Sequence, residues 1–219
     1  MSFIVAIDGP AGTGKGTIAN IISKKYKFIN VDTGAMYRCV ALKTIKENID
    51  INDIDRIKDL LNNIDIRLEE NGKVFLDNED VTDKIRTPEI NAIVSPVSAI
   101  IEVREKLGDF QRKMGLENNL VMEGRDIGTV VFPNANLKIY LDASEEERAN
   151  RRFKQNKEKG IDTPFEEVLK SIHERDELDK AKKVGALKQA DDAIYIDSTN
   201  MTIEEVENTI SKLIDERMK

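Results

Sequence analysis

The 219-residue sequence contains little of what secreted and membrane-spanning proteins need. It has one cysteine, Cys39, one histidine, His173, and no tryptophan. Because a lone cysteine cannot form an internal disulfide, we expect Cys39 to be a small buried side chain in a reducing compartment. The opening apolar run, Phe3–Ile7, is too short for a signal-peptide core or a membrane span. The sequence therefore predicts a cytoplasmic protein without a membrane segment, in which His173 lies exposed on a helix.

An overall excess of positive charge is also absent. The formal net charge is −7 at pH 7, whereas binding to a nucleic-acid polymer requires a basic face that neutralises phosphates. A local cluster of lysine, arginine and backbone N–H groups could still bind a small anion. We therefore expect small-molecule partners and no nucleic-acid polymer.

Five short apolar runs predict buried strands, and each is followed by a helical pattern. The runs are Phe3–Ile7, Phe28–Val31, Leu120–Met122, Leu137–Leu141 and Ala193–Ile196. This alternation predicts an α/β fold with a five-stranded parallel sheet flanked by helices. The acidic residues that directly follow the runs would share the ligand-binding edge of the sheet. They are Asp8, Asp32, Glu123, Asp142 and Asp197. For Asp142 and Asp197 we favour the simpler role of capping turns and helices.

Two segments add to this rhythm. Residues 63–81 predict a small antiparallel β insert, a hairpin with an Asn71-Gly72 turn. A long helical pattern from Val97 to Met114 follows it. Ser144, Thr163 and Thr202 each begin a predicted capping box, with Pro164 at the first position of its helix.

The segment after the first strand predicts a phosphate-binding P-loop because it is rich in glycine, contains a lysine and precedes a helix. Its residues, our candidate ATP-binding set, are Gly9, Pro10, Ala11, Gly12, Thr13, Gly14, Lys15, Gly16 and Thr17. Glycines let backbone N–H groups surround the phosphates, and Lys15 would reach the β and γ oxygens. Thr17 is the candidate Mg²⁺ ligand, one position later than in the strict motif. These features predict an ATP-using phosphotransferase.

Three arginine-containing segments accompany the P-loop: Asp32–Arg38, Glu123–Thr129 and Glu174–Asp179. With the Gly-Lys-Gly-Thr loop, they resemble the bacterial cytidylate kinases, a family of nucleoside monophosphate kinases among the P-loop NTPases. The resemblance runs from Ile4 to near the C-terminus and includes the β insert.

The resemblance implies ATP-dependent phosphorylation of CMP and dCMP to CDP and dCDP, in pyrimidine nucleotide metabolism, with ATP as co-substrate and Mg²⁺ as cofactor. It implies one domain over residues 1–219, which we expect to be a monomer. The core would comprise residues 1–37, 97–150 and 163–219, the monophosphate-binding insert about 38–96, and the lid about 151–162. The implied catalytic residues are Lys15, Arg125, Arg151 and Arg152. The implied CMP-binding residues are Thr33, Arg38, Ser95, Arg104, Arg125, Asp126, Arg175, Asp179 and Lys182.

Base chemistry fits this assignment. Cytosine offers an exocyclic amine as donor and N3 and O2 as acceptors, so Asp126 beside Arg104 would suit it. A fixed carboxylate would repel the O4 acceptor of uracil. One departure from the family pattern is Lys182, where an arginine is usual; lysine keeps the charge but loses the planar fork.

Two alternatives stay open. The P-loop fold also supports kinases for other small acceptors, such as AMP, UMP or a hydroxyl metabolite. A nucleotide-dependent switch would instead hydrolyse ATP slowly without an acceptor.

Overall fold

The computed structural model describes residues 2–69, 72–158 and 160–219. These residues form eight strands: β1 (Ile4–Asp8), β2 (Ile29–Asp32), β3 (Ile66–Leu68), β4 (Val74–Leu76), β5 (Glu79–Asp80), β6 (Leu120–Gly124), β7 (Leu137–Asp142) and β8 (Ile194–Asp197). Their eight α-helices are α1 (Lys15–Tyr26), α2 (Thr33–Lys46), α3 (Ile54–Asn62), α4 (Pro88–Ala99), α5 (Ile101–Glu117), α6 (Glu145–Glu158), α7 (Phe165–Lys180) and α8 (Ile203–Arg217). A 3-10 turn spans Lys84–Arg86, and a π-helical turn spans Ile127–Val131.

The main sheet is parallel throughout, in the order β2-β6-β1-β7-β8. All five predicted strands are confirmed. Alternate residues of β1 point to opposite faces, so Val5 and Ile7 pack with α1 and α8 while Ala6 packs with α2 and α5. Burial on both faces explains why the central strand β1 is a continuous apolar run.

The predicted β insert is present and has a third strand. β3, β4 and β5 form an antiparallel sheet in which Ile66 pairs with Leu76. Gly72 has a φ angle of +84°, as a tight turn requires. The Asn71 half of the predicted turn lies outside the described residues. The two-residue strand β5 was not predicted, because Glu79 and Asp80 carry no apolar pattern.

The predicted helix from Val97 to Met114 is wrong in its extent. Ile100 has an extended conformation and separates α4 from α5. The break leaves the carbonyl group of Ser98 free to accept a hydrogen bond from Arg104 at 3.1 Å.

The predicted helix caps fare unequally. The capping box at Thr202 is confirmed, and the Ser144 hydroxyl accepts the N–H of Glu147 at 3.2 Å. The box at Thr163 is wrong, because Pro164 itself is the N-cap of α7.

The remaining sequence expectations about single residues hold. Asp142 accepts the N–H of Ala143, and Asp197 accepts the N–H of Thr199, so both carboxylates cap local turns. Cys39 is fully buried, and burial raises the pKa of its thiol to about 12. His173 is exposed beside Glu145. Across the described ranges, none of the helices has the length and apolar character that a bilayer crossing would need.

Candidate active site

The loop between β1 and α1 folds tightly around the N-terminus of α1. Gly9, Gly12 and Gly14 have φ angles of +148°, +84° and +92°, in a region that favours glycine. A Cβ atom at Gly9 would lie 2.0 Å from the carbonyl oxygen of Leu141 in β7. Gly14 is the N-cap of α1, and no described side chain caps it. The N–H groups of the first turn are therefore left for an external acceptor, as in an anion-binding helix terminus.

Lys15 folds back over this loop. Its Nζ donates to the carbonyl oxygen of Pro10 at 2.6 Å and lies 3.3 Å from the hydroxyl of Thr13. Burial lowers the pKa of Lys15, and nearby Arg125 lowers it further. A phosphate in the loop would stabilise the charged ammonium, because an opposite charge at close range favours the ionised form.

Two carboxylates from the sheet edge support the loop. Asp8 accepts the N–H groups of Ile127 and Gly128 at 2.8 and 2.7 Å, which ties β1 to the turn after β6. Burial outweighs these bonds and raises the pKa of Asp8 to about 6. Glu123 lies beside Gly16, where a Cβ would be 2.7 Å from its Oε1. Burial and nearby Asp32 raise the pKa of Glu123.

Three predicted arginines from different helices lie close enough to repel one another: Arg38 on α2, Arg152 on α6 and Arg175 on α7. Burial lowers the pKa of Arg38 to about 9, and Arg175 and Arg152 contribute. Burial lowers the pKa of Arg175 to about 10, and its buried Nε has no hydrogen-bond partner in the described part of the chain. An anion placed between these guanidinium groups would offset their mutual repulsion and could accept the missing hydrogen bond of the Arg175 Nε.

Arg125 and Lys182 share one carboxylate. The Nε of Arg125 donates to Asp179 at 2.9 Å, and the Nζ of Lys182 donates to it at 2.7 Å. Burial alone would raise the pKa of Asp179, but Arg125 and Lys182 outweigh it and lower the pKa to about 2. Lys182 also donates to the hydroxyl of Ser98 at 2.9 Å. Asp179 is thus ionised, and it holds the side chains of Arg125 and Lys182 in position.

Arg104 and Asp126 form a nearly fully buried ion pair. Burial raises the pKa of Asp126 although Arg104 opposes the shift. The guanidinium of Arg104 also lies 5.6 Å from the ring centroid of Tyr37. Thr33 is buried, and its hydroxyl donates to the carbonyl oxygen of Glu123 at 2.6 Å. Of the three residues predicted to read the base, Arg104 and Asp126 therefore contact each other, and Thr33 bonds to the end of β6, the strand that precedes Asp126.

The remaining predicted residues have varied settings. Ser95 is buried on α4, one turn before Ser98. Thr17 is exposed in the first turn of α1. Arg151 donates to the carbonyl oxygens of Thr13 and Ser198 at 3.1 and 2.7 Å, so it holds the loop in place. Arg152 keeps its guanidinium near Arg86, and burial lowers its pKa.

Sequence reasoning missed four residues that adjoin the site. Arg86 pairs with Asp32 at 3.4 Å, and Asn91 accepts a hydrogen bond from Arg38 at 2.5 Å. Arg148 and Asp176 form a buried pair against the P-loop. The spacing offered a signal for Arg148, because it lies three residues before Arg151 on the same side of α6.

Comparison with known proteins places the chain among sequences of one family. Residues 5–216 match the family model described as cytidylate kinase. A protein named cytidylate kinase from Fusobacterium nucleatum is 49% identical over 214 residues, covering 98% of each chain. A protein of the same name from Clostridioides difficile is 45% identical, covering 97% of this chain and 98% of its own.

A solved structure shares the fold at low sequence identity. It is an uncharacterized protein from Eubacterium ventriosum, with a TM-score of 0.56, 14% identity and 99% coverage of both chains. At this identity the likeness concerns the fold alone.

Proposed function

The chain belongs to the cytidylate kinase family, and from this premise we propose that it phosphorylates CMP and dCMP with ATP, giving CDP and dCDP. The observation that carries the proposal is the juxtaposition of two anion sites. The glycine loop contacts α7, where Asp176 accepts the N–H of Ala11 at 3.4 Å. The same helix carries Arg175, and its Asp179 accepts a hydrogen bond from Arg125 at 2.9 Å, so the loop and the arginine cluster adjoin one another.

The donor half of the proposed reaction uses Gly9–Thr17. Backbone N–H groups and the N-terminus of α1 would surround the phosphates of ATP, with Lys15 on the β and γ oxygens. Arg151 already fixes the loop through Thr13. Burial and nearby Arg86 lower the pKa of Arg152, and its guanidinium would move onto the nucleotide as the lid closes.

The acceptor half uses the arginine cluster. Arg38 and Arg125 would bind the phosphate of CMP. Lys182 would lie near them, because Asp179 accepts hydrogen bonds from both Arg125 and Lys182. Ser95, Arg175 and Asp179 would reach the sugar. Thr33, Arg104 and Asp126 would hold the base, with the carboxylate accepting the cytosine amine.

The proposed transfer is direct. An oxygen of the CMP phosphate attacks the γ-phosphorus, the bond to the β–γ bridging oxygen breaks, and ADP leaves. Little covalent chemistry is asked of the protein, because positioning and positive charge on the equatorial oxygens supply the catalysis. Lys15, Arg125 and the lid arginines, Arg151 and Arg152, would provide that charge. Their closure would also exclude water and so prevent ATP hydrolysis.

The residues near the loop suit Mg²⁺. The exposed hydroxyl of Thr17 and the carboxylate of Glu123 flank the first turn of α1, and Mg²⁺ in such sites takes few protein oxygens, with phosphates and water completing its shell. When bound, the ion would neutralise charge on the phosphate oxygens.

The fold divides by role in this proposal. Residues 1–37, 97–150 and 163–219 form the core, about 38–96 the monophosphate-binding insert, and about 151–162 the lid. We expect a cytoplasmic monomer, with nucleotides as its partners and no nucleic-acid polymer.

The deciding experiment is a panel of acceptors. Initial rates with CMP, dCMP, UMP and AMP at matched ATP should be highest for the two cytidine nucleotides. A faster rate with UMP or AMP would assign the site to another acceptor. ATP hydrolysis at the same rate without any acceptor would favour a nucleotide switch and contradict the proposal.

A further inference from the structure

Arg148 on α6 and Asp176 on α7 form an ion pair that the proposed transfer does not use. Their side chains are only 4% and 2% exposed, and the guanidinium Nη1 donates to the carboxylate at 2.5 Å. A pair this deeply buried loses most of its hydration, so it is weak evidence for stability alone. Its surroundings indicate another role.

The pair holds both polar backbone groups of Ala11, in the middle of the phosphate loop. Asp176 accepts the N–H of Ala11 at 3.4 Å, and Arg148 donates to the carbonyl oxygen of Ala11 at 3.1 Å. Arg148 is itself anchored at the end of β7, through the carbonyl oxygen of Ala143 at 2.9 Å. The loop also packs on α6 at Gly12, where a Cβ would lie 3.1 Å from that of Arg148.

The two opposite charges compensate each other beside the phosphate loop. A carboxylate beside an anion-binding loop would repel the triphosphate if it stood alone. With Arg148 against it, Asp176 can accept a backbone hydrogen bond without adding net negative charge. Hydrogen bonds to charged groups are also stronger than neutral ones, so the pair can fix a glycine-rich segment that would otherwise be mobile.

We propose that Asp176 and Arg148 are positioning residues that hold the phosphate loop in its ATP-binding shape. The inference rests on the proposed function and adds a division of labour along α7. Asp176 faces the ATP loop, whereas Asp179, one turn later, holds Arg125 and Lys182 on the acceptor side.

Three substitutions on α7 test this division. Asp176→Asn should raise the KM for ATP about ten- to hundredfold, the loss expected for a charge-assisted hydrogen bond, and leave the KM for CMP within about threefold. Asp179→Asn should do the reverse. Glu177→Gln lies between them, is exposed and pairs only locally with Lys180, so it should change neither constant.

A double variant separates positioning from folding. Asp176→Leu with Arg148→Met removes both charges together, and such paired replacements are often neutral for stability. We expect its thermal midpoint to stay near that of the unmodified protein while ATP binding, measured by calorimetry without CMP, remains weakened. Recovery of both midpoint and ATP affinity would overturn the proposal, because the pair would then serve folding only.

The outcomes also separate this inference from the function it rests on. If the unmodified protein phosphorylates CMP but Asp176→Asn keeps its KM for ATP, or changes both KM values equally, the positioning role is rejected alone. If the unmodified protein fails to phosphorylate CMP while Asp176→Asn still weakens ATP binding, the positioning role stands and the proposed function is rejected.

Discussion

Lys15 is the residue on which the proposed transfer depends most directly. It is a buried cation of the phosphate loop itself, and burial and nearby Arg125 lower the pKa of its ammonium, so an anion in the loop would stabilise its charged form. Replacing Lys15 by alanine removes a positive charge from the place where negative charge develops on the migrating phosphoryl group. The fold should survive, because the hydrogen bonds of Lys15 are confined to its own loop, where they join Pro10 and Thr13.

We therefore predict that Lys15→Ala lowers kcat by about 10²–10³-fold with an unchanged circular dichroism spectrum. Steady-state rates at saturating ATP and CMP provide the measurement. Lys24→Ala, an exposed position on the same helix, is the matched control and should retain full activity. Near-normal turnover of Lys15→Ala would remove this residue from the mechanism.

Substitution of Lys182 is expected to improve substrate binding, whereas substitution of Lys15 is expected to impair catalysis. Its Nζ contacts Asp179 and Ser98, but a single ammonium cannot form the two parallel bonds that a guanidinium makes to a phosphate. Lys182→Arg should therefore lower the KM for CMP about two- to tenfold and leave the KM for ATP unchanged. The exposed neighbour Lys183, changed to arginine, is the control. An unaltered CMP constant would reject the idea that lysine weakens this site.

At the scale of single elements, the phosphate loop owes its shape to glycines for two different reasons. Gly9 meets the backbone of β7, where its added Cβ would lie 2.0 Å from the carbonyl oxygen of Leu141. Gly14 has a positive φ angle, but an added Cβ would have nothing within 4 Å. Only the first position combines backbone strain with a contact that no side-chain rotation can relieve.

Gly14→Ala should accordingly cost only the strain of a left-handed residue, about 1–2 kcal/mol in the free energy of unfolding. Gly9→Ala must also displace β7 and should cost more than about 4 kcal/mol, or prevent folding. Urea unfolding of the two variants measures the difference. Equal losses would mean that strain alone, and not the approach of β7, requires glycine at position 9.

The elements differ in how far the sequence could predict them. The five parallel strands were predictable because each is a short, mainly apolar run between turn signals. The break at Ile100 was not, because an apolar residue at an N-cap gives no sequence signal; the hydrogen bond from Arg104 to the carbonyl oxygen of Ser98 accompanies the break. The two-residue strand β5 likewise depends on pairing with β4.

In the site, too, features that follow from local sequence could be predicted and features that depend on packing could not. Motif order could predict that Lys15, Arg125 and Asp179 converge, since the carboxyl ends of parallel strands share one edge. Pairing could not be predicted, because Arg148 meets Asp176 across 28 positions of sequence and through two helices. Which arginine donates to a carbonyl group, as Arg151 does to that of Thr13, depends on packing distances that no spacing encodes.

At the scale of the whole molecule, the insert and the main sheet share one core. Leu76 in β4 and Ile66 in β3 belong to the same buried cluster as Met36 of α2 and Met122 of β6. The antiparallel sheet β3-β4-β5 therefore cannot bury its apolar face without α2, and α2 in turn carries Arg38. A small three-stranded sheet with so little core of its own is not stable in isolation.

This shared core predicts cooperative unfolding. Leu76 is 2% exposed, so Leu76→Ala should lower the free energy of unfolding by about 2–5 kcal/mol through lost burial and the cavity that remains. Because the cluster spans both sheets, the loss should appear in one transition, with coincident urea curves from circular dichroism and tyrosine fluorescence. Leu116→Ala, at a position that is 76% exposed, should leave the midpoint unchanged. An early, separate transition in Leu76→Ala would show instead that the insert unfolds on its own, and the acceptor site would then be a movable unit.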